Sequence, residues 1–265
     1  MTMEKVAYEV ASHFEYFVLI FLRVSALIVS SPVFGRKNIP NTVKIGLSLL
    51  LAYILLASSV NVPAISYRNV VEYAVLCLKE LLFGLVLGYV TTLFFAAVQV
   101  AGHVMDMQMG FGMVNVFDVQ SNISVPVTGN FLYTILMVVF FAVDGHHQLI
   151  YIINSTFSYI PAGHVALNPA IGWSALEVFV LAFGLALNIA MPLVASGLIG
   201  EVAMGVVVRT TPQMNVFVVG IPLKILLGLM SLFIILPVYV SFSNHLFSSM
   251  FESIDYMLRG LAGAA

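Results

Sequence analysis

Residues 105–118 read MDMQMGFGMVNVFD, and they decide whether this apolar chain is helical throughout or carries extended backbone inside its core. Apolar side chains take every odd position from Met105 to Met113 (Met105, Met107, Met109, Phe111, Met113), while Asp106, Gln108, Gly110 and Gly112 take the even ones. That alternation is the period of a strand. Met105, Met109 and Met113 also recur at i, i+4 and i+8, the spacing of one helix face, so the residues alone leave both conformations open. Either one needs surroundings that tolerate glycines and soft thioether side chains.

Composition supplies those surroundings. Of 265 residues, 61% are hydrophobic and 8% charged, where a soluble domain carries roughly a quarter charged. The composition is that of an integral membrane protein. A net charge of −2 gives no basis for binding nucleic acid or an anionic surface. Cys77 is the one cysteine, which excludes an internal disulfide and any multi-cysteine metal site. The N-terminus MTMEKVAYEVASHFEYF sets Glu4, Glu9 and Glu15 against Lys5 and has no compact basic region ahead of an apolar one. The start is therefore expected to be retained, with the first helix as its own insertion signal.

With about 20 apolar residues needed per crossing, six stretches stand out: Phe14–Ser31, Val43–Val62, Val70–Ala101, Pro126–Val143, Trp173–Val208 and Val216–Phe242. His147–Tyr159 is too short and polar to cross alone. Val70–Ala101 would be roughly 48 Å long as a straight helix against a hydrocarbon core of about 30 Å, so it must tilt, kink or protrude. The fifth stretch is overlong in the same way. No repeat and no soluble segment is visible, which predicts one all-α membrane domain over residues 1–265. The loop PVFGRKNIPNTVK (32–44) carries Arg36, Lys37 and Lys44 and no acid, placing it in the cytoplasm and the N-terminus outside.

Charges within apolar stretches are costly in lipid and therefore informative. Arg23, Lys79, Glu80, Glu201 and Lys224 are of this kind. The acids are scattered singly, which favours structural ion pairs over a proton relay. Glu80, Gly84 and Gly88 share one helix face, and the two glycines permit close helix approach. Gly184, Asn188, Pro192, Ser196 and Gly200 make a second stripe, expected to pack tightly with a kink near Pro192. Catalytic signatures are missing: the sequence contains no HExxH, no glycine-rich phosphate loop and no GxSxG. DGHH (144–147) and the pair His103/Asp106 each offer two metal ligands where a site needs a third or fourth, so a polar loop or helix end is the preferred reading. No metal and no cofactor are expected.

The most specific stretch is RTTPQMNVFVVGIPLKILLGL (209–229). Pro212 and Pro222 bracket positions where Gln213 and Asn215 can satisfy backbone groups left open by a helix break, so a broken helix or re-entrant turn is predicted over 210–222. Arg209, Pro212, Gln213, Asn215, Val216, Phe217, Gly220, Pro222, Lys224 and the GL at 228–229 together resemble the signature of the FliR family. The resemblance continues in LRVSALIVSSPVFGRKNIP (22–40), KELLFGLVLGYV (79–90), VAGHVMDMQMGFGM (100–113) and DGHHQLIYIINSTFSYIP (144–161). Glu201 stands where the family is expected to carry Asp or Asn.

The resemblance implies a flagellar type III export-gate subunit whose fold is similar to a fusion of FliP-like and FliQ-like subunits. Its helices would be kinked, inclined hairpins standing partly proud of the bilayer plane. One copy would close a pore-forming ring with several FliP-like and FliQ-like chains, beside FlhA-like and FlhB-like subunits, in the bacterial inner membrane at the flagellar basal body. Unfolded proteins would be the passing substrates, and the chain itself would be no enzyme. The resemblance also implies that residues 105–120 plug the pore, with Met105, Met107, Met109, Phe111 and Met113 as a deformable seal and Gly110 and Gly112 as its flexible points. An injectisome subunit and a small-solute transporter are the alternatives.

Overall fold

The computed structural model describes residues 3–58, 65, 67–111, 126–166, 170–211 and 216–261. Seven helices lie among them: α1 (Met3–Ser30), α2 (Asn41–Ser58), α3 (Val70–Met109), α4 (Val127–Ala142), α5 (Gly145–Tyr159), α6 (Ala170–Thr210) and α7 (Val216–Leu261). No strand occurs among the described residues. The physical reason is the solvent: where water cannot pair backbone N–H and C=O groups, a helix satisfies them within one segment.

Five helices are long and apolar enough to cross a membrane, or six crossings result if α4 and α5 together make one. The chain is thus a multi-pass membrane protein. Several helices outrun the stretches read from hydropathy, α1 beginning at Met3, well ahead of Phe14. α3 continues to Met109, and α7 continues past Phe242 to Leu261. The extension of α7 contains Ser, Asn, His, Glu and Asp, which lower its hydropathy. Leu246, Phe247, Met250, Ile254, Met257 and Leu258 are nevertheless buried at helical spacing. At 40 and 46 residues, α3 and α7 would be about 60 and about 70 Å long if straight, twice a hydrocarbon core.

Contacts gather the chain into two compact units, residues 1–93, 144–178 and 249–265 in the first, and 94–143 and 179–248 in the second. In the first, α1 packs on α2 and on the N-terminal part of α3. The α3 residues Glu80, Phe83, Gly84, Leu87, Gly88 and Thr91 form one buried stripe, each lying three or four positions from another member. Backbone approach is close along it. A Cβ on Gly84 would overlap the Arg23 carbonyl oxygen and come within 2.8 Å of the Ala26 Cβ. On Gly88 it would overlap the Ser30 hydroxyl, and Thr92 Oγ1 donates to the Ser30 carbonyl at 2.7 Å. Lys44 of the basic loop donates to the Gly35 carbonyl at 2.9 Å, closing the α1–α2 connection.

The second unit has an aromatic centre. Phe95 meets Phe140, Phe247 and Tyr133 with ring centroids 5.6, 6.2 and 5.9 Å away, the range of favourable edge and tilted packing. The α6 face that packs is alanine-rich: Ala182, Leu185, Ala186, Ile189, Ala190 and Leu193 are buried. The stripe read at 184, 188, 192, 196 and 200 packs within the chain only in part: a Cβ on Gly200 would come within 3.3 Å of Leu227 Cδ1 on α7. Asn188 and Pro192 are exposed, and a Cβ on Gly184 would meet nothing within 4 Å among the described residues. Apolar residues occupy every face of such a helix, so a row of small residues does not by itself identify the packed one. α6 is assigned helical straight through Pro192.

Candidate functional site

The C-terminal turns of α3 carry the methionines singled out in the sequence. Met105, Met107 and Met109 are helical, not extended. Met105 and Met109 are each 1% exposed and share the inner face, whereas Met107 is 63% exposed on the other side. The helical period therefore overrides the strand-like alternation for these residues. The helix stops in a defined way. Gly110 N–H donates to the Met107 carbonyl and Phe111 N–H to the Asp106 carbonyl, the paired bonds of a Schellman cap. That cap requires a left-handed residue at its turn, and Gly110 has φ of 85°, a conformation glycine adopts at no steric cost. Gly110 is thus a helix stop. Gly112 and Met113 lie outside the described residues.

The end of α3 is seated by glycines on its neighbours. A Cβ on Gly197 of α6 would come within 2.5 Å of Gln108 Cγ, and one on Gly228 of α7 would overlap the Met109 side chain. Gln108 and Met109 also line a cavity of about 390 Å³ with Gly200, Glu201, Gly220 and Lys224. Glu201 and Lys224 form an ion pair at its wall. Asp106 is buried, and both its carboxylate oxygens accept from Thr128 N–H, at 3.1 and 3.2 Å, near the start of α4. Beside this bond the backbones of Gly102 and Gly129 approach so closely that a Cβ on Gly102 would overlap Gly129. Asp106 is not paired for metal binding with His103, which is exposed. A carboxylate buried in an apolar stretch was the available signal for its hydrogen-bonding role.

Arg23 and Glu80 form a separate polar centre in the first unit. The guanidinium grips the carboxylate with two bonds, Nε to Oε2 at 2.6 Å and Nη2 to Oε1 at 3.1 Å. Its Nη1 donates to the Ile160 carbonyl at 2.9 Å and to Thr156 Oγ1 at 3.3 Å. Glu80 Oε1 also accepts from Gly163 N–H at 2.8 Å. Phe83 and Phe157 stack on the guanidinium with centroids 4.5 and 4.3 Å from Cζ. Both charges are buried. They are tolerated because each meets opposite charge, hydrogen bonds and ring faces.

The remaining sequence candidates are dispersed. Lys79 is half-buried beside Glu80, and Arg209 is exposed in the last turn of α6, where a cation complements the helix dipole. α6 ends at Thr210 and α7 begins at Val216, so the helix is broken within the predicted range. Pro212, Gln213 and Asn215 lie outside the described residues. Pro222 does not close that break, because it lies inside α7. An interior proline costs the helix one hydrogen bond, which the surrounding turns of a long apolar helix absorb.

Residues 14–250 match a family model described as "Bacterial export proteins, family 1". The flagellar biosynthetic protein FliR of Bacillus subtilis is 35% identical over 92% of this chain and 95% of its own length. The chain belongs to the FliR family. FliR of Escherichia coli is 30% identical over 91% of either chain, and FliR of Aquifex aeolicus 31% over 91% of this chain and 93% of its own. For a FliR-family chain matched along nine-tenths of its length, Arg23, Glu80, the α3 terminus and the Glu201–Lys224 pair all fall inside the matched region.

Proposed function

We propose that this chain is the single-copy subunit of the flagellar protein-export gate, and that the end of α3 with the residues after it closes the pore. The seating of the α3 terminus supports this reading most directly. Gln108 and Met109 rest in glycine notches of α6 and α7, and Asp106 ties α3 to the start of α4. The segment that leaves α3 at Gly110 and returns at Pro126 is thus held at both ends by packed helices. Met113 within it, and the exposed Met107 just before it, supply soft side chains that deform and re-form a seal around a passing polypeptide.

The partners of this reading are FliP-like and FliQ-like subunits, with FlhA-like and FlhB-like export subunits nearby, in the inner membrane. Exposed apolar side chains such as Phe233, Ile234 and Val238 on α7 suit lipid or a neighbouring membrane chain. Substrates are unfolded flagellar proteins, and the chain contributes a passage and no catalysis. Deleting Gly110–Val114 tests closure. Assembly should survive, because the anchors at Asp106–Thr128 and Gly102–Gly129 remain, while cells should leak ions or small solutes and become salt-sensitive. Replacing the four methionines of 105–113 by leucine should be milder, since volume is nearly conserved. Loss of assembly with no leak would mark the segment as core packing instead.

A further inference from the structure

We propose that Asp144, His146 and His147 form a binding site for a divalent first-row transition ion of the Zn²⁺ class. Each side chain offers one ligand atom, and these atoms all lie within 4.8 Å of one another. His147 Nδ1 is 3.2 Å from Asp144 Oδ1, and the two imidazole centroids are 4.1 Å apart. One carboxylate oxygen with two imidazole nitrogens is a donor set for Zn²⁺, Ni²⁺ or Cu²⁺. Mg²⁺ and Ca²⁺ prefer oxygen alone. Ligand atoms around a tetrahedral ion with bonds of about 2.0–2.1 Å lie about 3.4 Å apart. Modest side-chain rotation closes the difference, and the Asp144 and His147 side chains are 73% and 71% exposed and free to turn.

Asp144 itself is placed unusually. It stands at the N-cap of α5, where an aspartate ordinarily accepts a first-turn N–H, yet it makes no side-chain cap bond. Its φ of 56° is the one positive value among described non-glycine residues, a conformation that glycine would take more easily. The carboxylate is directed to His147 instead. His147 also lines a cavity of about 370 Å³ with Ser58, Tyr151 and Asn154, which leaves space for water or a small ligand to complete the coordination. A cation at a helix N-terminus opposes the helix dipole. One carboxylate offsets this only in part, so the ion is exchangeable.

The test uses the full-length chain in detergent, purified through a histidine-free tag, stripped with chelator and titrated with Co²⁺ as a spectroscopic probe, then with Zn²⁺ as competitor. One ion per chain is expected, with ligand-field bands that Zn²⁺ abolishes. His147→Ala and Asp144→Asn should each weaken binding by at least the roughly 10–100-fold seen when only an outer-sphere partner is lost. Asp144→Gly separates the ion from the backbone: it relaxes the left-handed position, so the chain should be at least as heat-stable while the ion is lost. His103→Ala, at an exposed histidine elsewhere, should change nothing. Absence of a cobalt spectrum in the parent chain, or binding by Asp144→Gly and His147→Ala as tight as the parent's, would overturn the site.

Discussion

Arg23→Ala is expected to destabilise the first unit by about 3–5 kcal/mol, the usual cost of leaving one member of a buried ion pair uncompensated. Glu80 would be left in a dry site with the Gly163 N–H as its one remaining donor among those named, and the Ile160 carbonyl and Thr156 hydroxyl would lose the Arg23 donor. Glu80→Ala should be as harmful, because the stranded group is then a guanidinium between two phenylalanine rings. Arg23→Lys should rescue little. A lysine keeps the charge but has neither the planar fork for two bonds to the carboxylate nor the flat face for Phe83 and Phe157. Glu80→Gln should be milder, since an amide oxygen still accepts from Gly163 and Arg23. Heat-induced loss of monodisperse protein in detergent measures the series. Unfolding of Arg23→Ala at the temperature of the parent chain would show that the pair holds nothing together.

Gly84→Leu should be the most damaging single change on the helix interface. Even a methyl group at this position overlaps the Arg23 carbonyl oxygen, so a leucine forces α1 and α3 apart over more than one turn. The separation also moves Arg23, whose backbone is the contacted group, away from Glu80. Overpacking of a tight core costs about 1–3 kcal/mol by itself, and loss of the ion pair adds to it. Gly88→Leu should follow the same course through Ser30, whereas Gly184→Leu should be tolerated within the chain because its Cβ would meet nothing within 4 Å among the described residues. Recovery of assembled complex with each variant is the measurement, and normal yields from Gly84→Leu would remove the packing account.

Much of this architecture is legible in the residues. Helix is favoured by the long apolar stretches of a chain with 8% charged residues, because a run of about 20 such residues satisfies its backbone in lipid within one segment. Arg23 and Glu80 are recognisable as costly charges that need partners, although nothing in their separation of 57 positions says that they pair with each other. The Glu80–Gly84–Gly88 row is readable because glycine on an apolar helix marks a close approach more sharply than alanine or leucine does. Sequence fails where the signal is degenerate. Met105–Met109 fit both periods, and only the Schellman cap at Gly110 and the seats at Gly197 and Gly228 fix the helix. The row from Gly184 to Gly200 does not coincide with the most buried face of α6, which is alanine and branched aliphatic, although its last member, Gly200, lies close to Leu227 of α7. DGHH does not reveal as a motif that its donors converge, whereas the turn at Asp144 brings three of its side chains together.

The gate reading makes a demand on stoichiometry that no transporter shares. A solute carrier functions alone or with copies of itself, whereas a gate subunit of this family should be one chain among several copies of smaller membrane proteins. Intact mass measurement of the complex purified from native membranes through this chain decides between them. The account predicts a hetero-oligomer containing one copy of the 265-residue chain and multiple copies of two other membrane subunits. A monomer, or an assembly made only of this chain, would contradict it.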